Sequence, residues 1–168
     1  MVVLITGIQA AGKSTVAQLL AERLPRSVHV RGDQFRRMVV NGRADMTPPP
    51  TAEAMRQLRL RYQLMASTCD AYAEAGFDVV AQDVIIGDVL SEVVAMFTSP
   101  PHVVVLAPRP SVVASREAGR AKKAYDSWTV ETLDAGLRTE TPRIGLWLDT
   151  SDQTPDETVD KILAYRNR

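Results

Sequence analysis

Residues 7–14 read Gly7-Ile8-Gln9-Ala10-Ala11-Gly12-Lys13-Ser14, and their reading decides the fold. They fit G-x-x-x-x-G-K-[ST] without a mismatch. Glycines at both ends let the backbone close round a phosphate, with successive N–H groups turned inward. The run before them, Val2–Thr6 (VVLIT), is apolar, β-branched and of strand length. After them, residues 14–24 put Val16, Ala17, Leu19, Leu20 and Leu24 on one helical face, and Pro25 closes the run. Strand, glycine loop and helix in that order are the setting such a loop requires, because the helix N-terminus adds its positive end to the bound phosphate. The expected nucleotide cradle is Gly7, Ile8, Gln9, Ala10, Ala11, Gly12, Lys13, Ser14 and Thr15. Lys13 is placed to reach the β- and γ-phosphates of ATP, and the Ser14 hydroxyl to take one Mg²⁺ position. Lys13 is the only lysine among the first 121 residues, so a chance surface lysine explains it poorly.

Outward from this loop, apolar runs alternate with helical patterns. Strands are expected at residues 28–30, 77–81, 103–106 and 144–148, and helices at 33–40, 51–75, 89–97, 110–119 and 129–137. Thr154-Pro155-Asp156-Glu157 opens a last helix, with proline in its first turn and acids at its positive end. In the long helix Met55, Leu58, Tyr62, Met65, Cys69 and Tyr72 share one face. Five apolar strands separated by helices predict an α/β fold, a doubly wound five-stranded parallel sheet. No repeat or interdomain linker interrupts residues 1–168, so one domain is expected, with a small lid over residues 110–128.

The net charge is zero, which disfavours a protein that holds duplex nucleic acid by bulk electrostatics. One cysteine excludes an internal disulfide framework, and no apolar run approaches the ~20 residues of a membrane span. The opening residues lack a basic leader region, so a cytoplasmic protein without membrane partners is expected. Arginine outnumbers lysine 16 to 4, and residues 31–61 hold seven arginines against three acids. Guanidinium groups grip phosphate bidentately, so such clusters suit a cleft that faces phosphates.

The candidate chemistry lies at the ends of the other strands. In a parallel sheet these ends open onto one crevice. Asp33, just past the second strand, can take the proton of an attacking hydroxyl, and Arg36 one turn on can hold the γ-phosphate, with Arg37 beside it on the acceptor side. Gln82 and Asp83 close the third strand as acceptor-side residues, Asp83 also as a candidate for the Mg²⁺ shell. Arg116 and Arg120 lie four apart on one helix face and can close over the phosphates, stabilising charge in transfer.

A P-loop, an Asp after strand two, Gln82-Asp83 after strand three and Arg116 with Arg120 in a lid together resemble the small P-loop kinases. The sequence is most similar to the chloramphenicol phosphotransferase-like family and to the related kinase domain of phage polynucleotide kinase. The resemblance implies a nucleoside-monophosphate-kinase type of fold, with Asp33 as general base, Arg36 assisting transfer, and Arg116 and Arg120 embracing ATP. It also implies that Thr150 and Ser151, after strand five, seat the adenine. Gln82 stands where the antibiotic kinases carry a first aspartate. No Asn/Thr-Lys-x-Asp guanine signature appears, so ATP is expected over GTP. The expected activity is ATP- and Mg²⁺-dependent phosphotransfer to a hydroxyl of a small molecule, such as an antibiotic or other natural product. A polynucleotide or nucleoside 5′-hydroxyl, reached by a short single strand along residues 31–61, is the second reading. An ATP-binding regulator without phosphotransfer is the third.

Overall fold

The computed structural model describes residues 1–119 and 128–166. Five strands form one sheet: β1 Val2–Thr6, β2 Ser27–Arg31, β3 Asp78–Gln82, β4 His102–Leu106 and β5 Leu146–Leu148. Every pairing is parallel and the order is β2-β3-β1-β4-β5. Parallel neighbours need crossovers, and helices supply them: α1 Lys13–Glu22, α2 Gly32–Arg37, α3 Ala52–Glu74, α4 Val89–Val94, α5 Pro110–Ala118, α6 Val130–Ala135 and α7 Pro155–Arg166. All five residues of β1 are buried, because helices cover both faces of the central strand. The core gathers Leu4, Ile5, Leu20, Met65, Val80, Leu90, Val104 and Ile162 around it.

The chain passes from β1 to β2 on one side and from β3 to β4 on the other, so the strand order reverses at β1. A crevice opens beyond the carboxyl ends of strands at such a point, and the loop of residues 7–14 lies there. The same order sets the end of β2, with Asp33, two strands from that loop and the end of β3, with Asp83, between them.

Several boundaries differ from the sequence expectation, each for a local reason. Residues 38–40 leave α2, which ends at Arg37, and Met38 and Val40 stand exposed with no apolar surface to hold them in a helix. β5 begins at Leu146 because Gly145 takes φ +72° and its absent Cβ would sit 2.2 Å from the Val103 carbonyl oxygen. α4 ends at Val94, short of Phe97. α6 gives way at Gly136 to a π-helical turn, Gly136–Glu140, so the helix expected at 129–137 runs on in a wider spiral. Tyr72 is exposed and leaves the buried face of α3, where it meets the Phe77 ring edge-on at 5.7 Å. Cys69 is fully buried as expected, and burial pushes its thiol up to about 12. Residues 120–127 of the expected lid, Arg120 among them, lie outside the described residues. No described helix is long and apolar enough to cross a membrane.

Candidate active site

The loop between β1 and α1 is shaped by three left-handed backbone positions. Gly7 has φ +144°, and a Cβ there would meet the Leu106 carbonyl oxygen at 2.5 Å, so β4 can pass this close only to glycine. Gly12 caps α1 at φ +97°, and Ala10 holds φ +60°, a region an alanine seldom adopts. Strain of that kind collects where a backbone must present its N–H groups to a ligand. No side chain caps α1 and no acid lies in its first turn, which leaves its positive end to an external anion. Lys13 is buried and curls back to donate from Nζ to the Ile8 carbonyl at 2.7 Å. Thr6 fastens the loop's entrance, since its hydroxyl donates to the Ile85 carbonyl at 2.8 Å and accepts from the Ile85 amide at 2.9 Å. Ser14 and Thr15 are exposed beyond the bend. This cradle fits the phosphates of a nucleotide, and Ser14 is the loop residue whose exposed hydroxyl could hold an accompanying Mg²⁺. Among the described residues no group of three or more His, Cys, Asp or Glu side chains could hold a metal.

On the nucleotide side Arg116 reaches across from α5. Its guanidinium donates to the Ala11 carbonyl at 3.3 Å and to the Thr150 carbonyl at 3.1 Å, which joins α5, the phosphate loop and the segment after β5. Thr150 is buried and its hydroxyl has no hydrogen-bond partner among the described residues, so a polar group is left for a ligand or water. The Ser151 hydroxyl is committed elsewhere: it donates to the Asp149 carboxylate and accepts from the Arg109 amide at 2.8 Å. The Asp149 carboxyl is lowered, first by the Ser151 hydroxyl and then by the Ser151 amide.

On the opposite side Asp33 lies in the first turn of α2, half-exposed. Arg37 Nε approaches its carboxylate at 2.6 Å, and Arg36 stands 3.9 Å away while binding Asp45 at 2.5 Å. The guanidinium of Arg37 thus fixes a carboxylate that solvent still reaches.

Asp83 is almost fully buried beside it. Both of its oxygens receive the Arg61 guanidinium, one at 2.6 Å from Nε, and the Val84 amide adds a bond at 2.7 Å. Burial pushes the Asp83 carboxyl up, while Arg61, the Val84 amide and the nearby Lys13 oppose that push. A metal-shell or acceptor role for Asp83 therefore requires the Arg61 pair to open. Gly32 makes the pair possible, since a Cβ at this residue would lie 2.0 Å from Asp83 Oδ2. Gln82, its neighbour, is buried at the end of β3. Sequence reading missed both Arg61 and Gly32. Arg61 precedes the buried Tyr62 at the edge of the apolar face of α3, which was the available signal. Arg138 was also missed: it bonds Asp134 at 2.8 Å and the carbonyls of Ala107 and Pro108 at 3.3 and 3.0 Å. It thus ties the π-helical turn to the end of β4.

A family model described as AAA domain matches residues 2–142, from β1 to the end of the π-helical turn. The chain belongs to the AAA domain family. No curated protein matches this AAA domain by sequence. Its fold is that of the P-loop kinases. A sugar kinase from Janibacter sp. superposes with a TM-score of 0.73 at 20% identity, over 99% of this chain and 94% of that one. The tunicamycin resistance protein of Deinococcus radiodurans gives 0.71 at 21% identity, over 97% and 93%. A gluconokinase from Sinorhizobium meliloti gives 0.63 at 18% identity, over 99% and 91%.

Proposed function

We propose that this AAA domain is an ATP- and Mg²⁺-dependent phosphotransferase that moves the γ-phosphate to a hydroxyl of a small molecule. The observation that carries the reading is Asp33: a solvent-accessible carboxylate, held by Arg37, at the end of β2 on the crevice that the phosphate loop occupies. The similarly folded sugar kinase and gluconokinase support the same reaction class, and the tunicamycin resistance protein supports a natural-product acceptor.

In this reading the loop amides and the N-terminus of α1 bind the phosphates, and Lys13 swings from the Ile8 carbonyl to the β- and γ-phosphate oxygens. Ser14 would hold Mg²⁺, which would supply neutralisation of phosphate charge. Asp33 orients the acceptor hydroxyl and accepts its proton as the oxygen attacks. Arg36 leaves Asp45 for the transferring phosphoryl group, while Arg116 holds the nucleotide from the lid side and Arg120 joins it there. Thr150 and Ser151 flank the base.

The test is Asp33→Asn, which keeps size and polarity. With labelled ATP and a screen of sugars, nucleosides, oligonucleotides and antibiotics, wild-type protein labels an acceptor. The asparagine variant is expected to transfer about 10²–10⁴-fold more slowly at nearly unchanged ATP affinity. Equal rates would leave Asp33 a structural residue and remove the kinase reading's main support.

A further inference from the structure

The arginines of residues 31–61 are not equivalent. Arg36, Arg37, Arg43, Arg56, Arg59 and Arg61 each lie within ion-pair distance of a carboxylate, supplied by Asp33, Asp45, Glu53, Glu92 or Asp83. Arg31 has neither an ion pair nor a side-chain hydrogen bond among the described residues. It is exposed at the carboxyl end of β2, two residues before Asp33.

Arg31 also borders an open groove of about 390 Å³, whose other walls are Ser14, Thr15, Gln18, Leu19 and Glu22. The groove follows α1 from Ser14 to Glu22, eight helical steps or about 12 Å at the rise of 1.5 Å per residue. Its polar rim is unevenly satisfied. Gln18 Nε2 donates to Glu22 at 2.9 Å, and Gln18 Oε1 meets His29 Nδ1 at 2.9 Å. At the other end the Ser14 and Thr15 hydroxyls, like Arg31, have no side-chain partner among the described residues. The groove is therefore bipolar, with an unneutralised cation beside free hydroxyls at the phosphate-loop end and a carboxylate at the far end.

We infer that Arg31 forms an anion-binding subsite for the acceptor, and that the acceptor carries a carboxylate or phosphate group close to its reacting hydroxyl. This rests on the kinase reading above. An anionic acceptor entering beside the polyphosphate of ATP meets like-charge repulsion, and a cation of its own at the point of entry offsets it. Arg31 suits that task because its five donors in a planar fork match carboxylate and phosphate oxygens. Glu22 at the far end excludes the anion from that position, so the charged group lies at the Ser14 end.

The test is equilibrium binding with the phosphate loop filled by Mg²⁺ and a non-hydrolysable ATP analogue, so that no probe anion reads out at that loop. Two matched pairs are titrated: gluconate against glucose for a carboxylate, and ribose 5-phosphate against ribose for a phosphate. In at least one pair the anion is expected to bind about tenfold or more tightly than its neutral partner, as a charge-assisted hydrogen bond gives. Arg31→Gln removes that advantage. Arg56→Gln, an equal charge change at an exposed residue paired to Glu53, keeps it. The inference is overturned if neither anion outbinds its neutral partner, if the advantage survives Arg31→Gln, or if Arg56→Gln abolishes it equally. Phosphotransfer does not enter these measurements, so the kinase reading stands or falls separately, on the Asp33→Asn rates.

Discussion

Replacing Arg61 by methionine keeps most of the length of the side chain and takes away the cation that faces Asp83. Asp83 is 3% exposed and Arg61 15%, so water cannot take the guanidinium's place without opening the β2–α2 corner. Breaking a buried pair from one side costs about 3–5 kcal/mol, because the remaining charge is left desolvated. The Val84 amide stays bonded to one Asp83 oxygen, which favours the lower half of that range. At about 2–4 °C per kcal/mol for a chain of this size, the melting temperature falls by roughly 6–16 °C. Urea denaturation with a common m-value gives the free energy directly. The loss also has a pH signature. Burial raises the Asp83 carboxyl, and without Arg61 it rises further, so the protonated form is the one the fold tolerates. The deficit against wild type is then largest at neutral pH and shrinks toward acid. Combining Arg61→Met with Asp83→Asn removes both charges and leaves an oxygen for the Val84 amide, so at least half of the stability returns. A single variant within about 1 kcal/mol of wild type, or a double variant no better than the single, refutes a buried and mutually dependent pair.

Three further outcomes are expected. Lys13→Ala lowers ATP turnover by about a hundredfold or more with the fold intact, measured by ADP release and circular dichroism; near wild-type turnover would sink the phosphate-loop assignment. Arg116→Ala lowers kcat by about 10²-fold, more than it weakens ATP binding; a change confined to KM would make Arg116 a binding residue alone. Burial, and then the charge of Arg31, push His29 down to about 4 from an ordinary 6.5, so the unfolded chain binds the proton first. Stability is therefore full above pH 6.5 and falls as pH drops from 6.5 toward 4, by about 1–2 kcal/mol after discounting for a half-exposed ring. His29→Gln flattens that part of the curve in denaturant titrations at stepped pH, and an unchanged slope would show that other groups cause it.

The phosphate loop was legible in sequence because its chemistry is local. Eight consecutive residues supply the glycine conformations, the lysine and the hydroxyl, and the strand and helix on either side are set by apolar periods of their own. The parallel order of strands and helices was legible for the same reason, as was the place of Asp33 at a strand end. Tertiary structure decided what lies between residues far apart in the chain. Arg61 and Asp83 are 22 residues apart and become partners only because α3 lays its flank against the end of β3. Gly32 accommodates that pair because β2 is the neighbour of β3. Arg116 meets Ala11 and Thr150 across intervals of 105 and 34 residues. Which arginine of a run of seven stays unpaired likewise depends on where five carboxylates fall in space. Ion pairing acts over a few ångströms of space and carries no period along the chain, so sequence exposes the apolar pattern that builds the sheet and folding alone determines which charges meet.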